Sequence, residues 1–372
     1  MMEITLFAAE VALYISFSLL IGGLLLLLIA ETSKPPMVIP NKLIITASML
    51  TIAAAFLPIL PVTRTLARVD TWQQAFMNVL FTFSIGKSFL FITLFGVLLL
   101  LIWTIKGAAE NKYLVSLSLA LVIAMIISYT QSSHTTSLAG WQGQMAHTIH
   151  FLAVSLWLGI LFIVSWLSKG TENWSAFLRW FTPTAIAALL IVTVSGFFTM
   201  SIDLHAYGNT NLGTVQAYED GLASSYGQGL LWKHLFFLAI IMFAVINGIL
   251  FRRKREDQTF NPFPWTKAES LFALIAFLWT SYMGRVGIPS QGGTPAADAS
   301  FLYSVFTDKQ ESGIVNVTFA FGPMSWLLLL LGTLFLLLAL VTAVKKSSVS
   351  MTATAGAAMI ITFYLGVMTG VQ

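Results

Sequence analysis

The chain has no cysteine among its 372 residues. Disulfides and thiolate metal centres are therefore excluded, and a soft metal ion would have to be held by imidazole or methionine thioether. Charge is nearly as scarce: Asp, Glu, Lys and Arg make up 9% of the sequence against 57% apolar side chains. Soluble domains carry about a quarter charged residues, so with a mean hydropathy of +0.85 the composition points to a polytopic membrane protein. Three motifs are also missing. GxxxxGK[ST], HExxH and GxSxG do not occur, which removes a nucleotide-driven engine, a zinc protease and a serine hydrolase, and no enzyme is expected. The first apolar run follows Met1, Met2 and Glu3 with no basic segment before it, the pattern of a retained span and not of a cleaved signal.

What is present is oil in long runs. Unbroken leucine at 24 to 28 and 327 to 331 contradicts the alternation of a membrane barrel, and backbone groups in lipid must then be satisfied within helices. An all-α, polytopic transmembrane bundle is expected, a single membrane domain over 1 to 372. About ten spans are expected, near 6 to 30, 43 to 60, 87 to 105, 113 to 129, 144 to 168, 182 to 200, 230 to 251, 268 to 288, 322 to 344 and 351 to 369. The stretch 61 to 86, with Arg64, Arg68, Asp70 and Trp72, fits an interfacial or re-entrant segment better than a full span. The intervening segments 201 to 229 and 289 to 321 are too short to bury a core of their own.

Basic residues sort the loops. Thirteen fall on one side: Lys34, Lys42, Lys106, Lys112, Lys169, Arg179, Arg252, Arg253, Lys254, Arg255, Lys267, Lys345 and Lys346. The other side holds Arg64, Arg68, Lys87 and Lys309, while Lys233 and Arg285 lie within spans. The positive-inside rule then places both termini outside. This topology accounts for the net charge of +4, and no nucleic-acid partner is expected.

All five histidines fall at or near the outer face: His134, His147, His150, His205 and His234. In HTIHFLAVSLWLG, residues 147 to 159, His147 and His150 are about 300° apart on a helix and share one face. His134 precedes them in the polar stretch YTQSSHTTSLAGWQGQ, which is able to fold back and add a third imidazole. Such a set suits copper or zinc, and Cu(I) best where thioethers such as Met145 and Met283 are near. No carboxylate occurs between 130 and 168, so Mg²⁺ and Ca²⁺ are poorly served. The competing reading is that these imidazoles are packing groups bonded to neighbouring helices. Glu10 is either a headgroup-level residue or a buried carboxylate on an ion path, and Lys233 either snorkels beside Trp232 or meets an anion. Trp141, Trp157, Trp166, Trp174 and Trp180 read as interface belts, and Gly159 as a notch for close helix approach.

Four blocks in order carry a resemblance: SSHTTS, then HTIHFLAVSLWLG, then FLRWFTPTAIAALLIVTVSGFF, then YGQGLLWKHLFFLAIIMFAVINGILFRR. Over about 130 to 255 they resemble the copper resistance protein D (CopD) family. The resemblance implies a bacterial inner-membrane helical protein that moves copper, most often as uptake, with His134 and His150 standing where that family places histidines. His147 stands where the family frequently has an acidic residue, and Ile160 replaces a second glycine. Lys233 matches a family lysine.

The expected function is therefore copper transport across the bacterial cytoplasmic membrane. His134, His147 and His150 form the candidate metal site, with Glu10, Met145, Met283 and Lys233 on the candidate path. The expected partners are the copper ion, membrane lipid and an extracytoplasmic copper chaperone. Two alternatives remain at this point. One is a b-type haem electron-transfer protein pairing His147 or His150 with His234, since one helix face cannot supply both axial ligands. The other is a copper-binding sensor or assembly partner that moves nothing.

Overall fold

A computed structural model describes residues 2–207, 213–253, 260–287, 294–307, 313–345 and 348–372, with the backbone alone at 205–207, 249 and 251–253. Lys254, Arg255, Lys309 and Lys346 of the charge pattern, and the His205 side chain, lie outside the described residues. The chain forms two compact units, Met1–Ile202 and Asp203–Gln372.

The first unit opens with α1 (Met2–Leu28), followed by α2 (Asn41–Phe56), α3 (Ile59–Leu66), α4 (Trp72–Phe81), α5 (Ser84–Ile102), α6 (Lys112–Thr130), α7 (His134–Leu167) and most of α8 (Trp174–Tyr207). Polar residues between the apolar runs set the helix ends. Asn111 accepts from the Tyr113 and Leu114 amides to start α6, Ser133 accepts from the Thr136 amide to start α7, and Thr71 with Gln74 forms a capping box on α4. At the far end of α1 the buried Lys34 ammonium donates to the Leu26 carbonyl at 2.6 Å and pairs with Glu31 at 2.7 Å. That closes a helix C-terminus with positive charge, where the helix dipole favours it.

The second unit holds α9 (Thr214–Gly221), α10 (Ser225–Arg253), α11 (Phe263–Val286), α12 (Phe301–Ser304), α13 (Pro323–Val344) and α14 (Val349–Met368). Its only regular strands among the described residues are β1 (Thr294–Pro295) and β2 (Ile314–Val315), an antiparallel pair. Asp220 anchors the segment after β2 by accepting from the Val317 amide at 3.2 Å. Helix pairs α10 with α11 and α13 with α14 make up the packed body.

Nine helices among the described residues are long and apolar enough to cross a membrane, and the chain is an all-α, multi-pass membrane protein. The remaining expected span, 268 to 288, falls on the helix α11 (Phe263–Val286), but Lys267, Glu269 and Arg285 keep that helix below the apolarity of the others. The stretch 61 to 86 resolves differently from one re-entrant piece. Its first residues belong to α3, which continues the α2 span through Leu66, and α4 is a separate short helix. Nor is 130 to 143 an extended loop, because α7 begins at His134 and bends at Gly140.

Candidate functional site

The site begins with how α1 and α7 approach each other. A Cβ built on Gly159 would strike the Ser18 carbonyl, and one on Gly22 would strike the Gly159 backbone. Two helices touch this closely only where both lack side chains, so the notch read at Gly159 is a crossing point. Further toward the start of both helices, Tyr14 meets Phe151 edge-on with ring centroids 5.6 Å apart. Gly22 with Gly159 and Tyr14 with Phe151 share one offset, which makes the helices parallel and sets Glu10 level with His147. Glu10 thus belongs to the mouth of the histidine helix.

Around that mouth polar groups are linked. The Tyr14 hydroxyl donates to Glu10 Oε1 at 2.5 Å, and the Tyr129 hydroxyl of α6 reaches the Tyr14 hydroxyl at 3.4 Å. Thr130 and Thr148 join α6 to α7 at 2.6 Å. Phe151 packs beneath, with Phe17 at 5.6 Å, Tyr129 at 5.5 Å and the His147 ring at 6.4 Å between centroids. The polar cluster therefore rests on an aromatic floor.

His150 lies on the α8 side of α7. Its Nδ1 is 3.2 Å from Ser195 Oγ, and its ring fills the space a side chain would take at Gly196, where a Cβ would stand 3.1 Å from Cε1. The Ser195 hydroxyl donates to the Ile191 carbonyl at 2.5 Å. The contact ties one ring nitrogen of His150 to α8, the kind of supporting bond by which a neighbour orients an imidazole that binds a metal.

The other expected residues fall elsewhere. His134 is exposed in the first turn of α7, and Met145 is exposed on its continuation at 51%. Between them Gly140 takes φ 58° and ψ −137°, a region open to glycine, and the bend presses the Thr135 carbonyl onto Gly143. The segment is helical from His134 with a bend at Gly140. Among the described residues no group of three or more His, Asp or Glu is assembled as a metal site. Lys233 and Met283 belong to the second unit: Met283 is buried against Gly229, one turn before Lys233. Also in that unit, His234 Nδ1 is 3.2 Å from the Tyr218 hydroxyl, a phenol that burial pushes above its ordinary range and so keeps protonated.

Tyr14, Tyr129, Ser195 and Gly196 join the site through contacts between helices. Ser195 and Gly196 stand in one of the four quoted blocks, and a serine–glycine pair inside an apolar run was the available signal. Trp157 departs from the interface belt: it is 3% exposed and belongs to the core. No family model, curated protein or solved structure matches the chain.

Proposed function

We propose that this protein moves copper, as Cu(I), across the bacterial cytoplasmic membrane, and that His147 and His150 receive the ion at the outer end of α7. The observation that carries the reading is the contact of His150 Nδ1 with Ser195 Oγ at 3.2 Å, which holds the imidazole between α7 and α8 as a metal-binding ring is commonly held. His147 shares the helix face, and Glu10 stands level with it on α1. Two imidazoles supply the soft, neutral donors Cu(I) prefers. The carboxylate adds negative charge to attract a cation into a region where an unpaired charge is costly.

With the basic loops facing the cytoplasm, the membrane potential favours inward movement by about 2.3 kcal/mol per charge per 100 mV. Uptake is therefore the direction proposed. Lys233 and Met283 are assigned to the path within the second unit, and an extracytoplasmic chaperone would hand copper to the exposed end of α7, where His134 and Met145 stand.

The test is copper uptake into sealed proteoliposomes together with copper bound per purified chain. Wild type should accumulate copper, and His147→Ala and His150→Ala should each lower both occupancy and uptake at least tenfold. Full occupancy in both variants contradicts the site. Normal occupancy in wild type with no uptake contradicts transport and leaves a copper-holding protein.

A further inference from the structure

Glu269 on α11 is 4% exposed and Asn247 on α10 is 5% exposed. Asn247 Nδ2 donates to Glu269 Oε2 at 2.6 Å, and Asn247 Oδ1 is buried with no hydrogen-bond partner among the described residues. Both residues lie about 9 Å, six residues of helix, from the ends of α10 and α11 that adjoin the basic segment after Arg252.

A carboxylate in such a place needs a counter-charge, and the described groups do not supply one. On α10, Lys233 and His234 stand about 20 Å along the helix from Asn247 and Tyr226 farther still, while the side chains of Arg252 and Arg253 are outside the description. On α11, Lys267 points about 200° away around the helix, and Tyr282 and Arg285 are about 20 Å or more along it. The one titratable side chain of α14, Tyr364, stacks on Trp232 at 4.3 Å, toward the opposite end of α10. Lys345, at the end of α13, is exposed. A single neutral amide cannot stabilise a buried anion, so the neutral acid is the form that fits.

A half-turn of the Asn247 amide presents Oδ1 to the carboxyl, so that a protonated Glu269 donates to it. The same half-turn in reverse presents Nδ2 to a carboxylate. One residue thus serves both protonation states.

We propose that Glu269 and Asn247 form a hydrogen-ion site, occupied at neutral pH, which exchanges its proton with water on the side of the basic loops. On release, the carboxyl O–H bond breaks, the proton goes to water, and Asn247 turns to donate to the carboxylate. The site does not depend on what the histidine helix carries.

Infrared spectra of the full chain in lipid at pH 7 test it. A protonated-carboxyl C=O band should be present in wild type and missing in Glu269→Gln, which keeps the side-chain shape and a bond to Asn247. In Asn247→Leu the band should persist at higher frequency, because its hydrogen bond is gone. Should Glu269→Gln not fold, the Asn247→Leu shift carries the test alone. Identical spectra in this region for wild type and the variants overturn the proposal.

Discussion

α7 and α8 are both 34 residues long, both are apolar enough to cross a membrane, and both contain a helix-disturbing residue, Gly140 in one and Pro183 in the other. Yet α7 is mostly buried from Phe151 to Ser165, whereas α8 exposes Ile186, Leu190, Ile191, Val194, Phe197 and Phe198. Hydropathy cannot tell them apart, because lipid is as apolar as a leucine side chain and does not drive helices together. Small residues and polar contacts do. α7 has Gly159 against Ser18, and Thr148 against Thr130. α8 has Ser195 and Gly196 on His150, and the Trp180 indole donating to the Ser33 carbonyl at 2.8 Å. The histidine that chemistry singles out is also one of the few points at which α8 is held.

Gly159→Leu should break the contrast most severely. Its side chain would run into the α1 backbone, which cannot rotate away, and a loss of about 3 kcal/mol or more is expected. Gly248→Leu on α10, where a Cβ meets nothing within 4 Å, should change stability by no more than about 0.5 kcal/mol. Reversible unfolding in mixed micelles measures both. Next is a pair of aromatic truncations: Trp157→Ala on α7, 3% exposed, should cost about 3–5 kcal/mol, and Phe198→Ala on α8, 59% exposed, about 0.5 kcal/mol or less. Equal losses would show that α8 is packed as α7 is.

Ser195→Ala sharpens the comparison at its one chemical contact. It removes the hydroxyl in contact with His150 Nδ1 and should weaken copper binding about tenfold, as loss of a ligand's supporting bond typically does, with little change in unfolding. His134→Ala is the smallest: an exposed side chain outside the pair should leave copper affinity within about threefold. A tenfold loss would bring His134 back as a third ligand.

The helical spans were legible because twenty apolar residues in a row have few other uses. Their ends shifted where polar residues also form helix, as at His134 to Ala139, since serine and threonine serve as caps as readily as loops. That His147 and His150 lie one turn apart on one helix was legible from the sequence alone. Glu10 at the level of His147 was not, because it depends on the Gly22–Gly159 crossing, a contact between residues far apart in the chain. Glu269 had a signal of its own, a carboxylate at the head of an apolar helix, but its meaning comes from Asn247 on another helix. Trp157 lies in the core because aromatic residues mark interfaces only on average.

The most direct measurement is the X-ray absorption spectrum of Cu(I)-loaded protein, wild type beside His150→Ala. Imidazole scattering around the copper is expected in wild type, with a clear reduction of it, and lower occupancy, in the variant. Unchanged scattering and occupancy in His150→Ala would contradict the placement of copper on this helix.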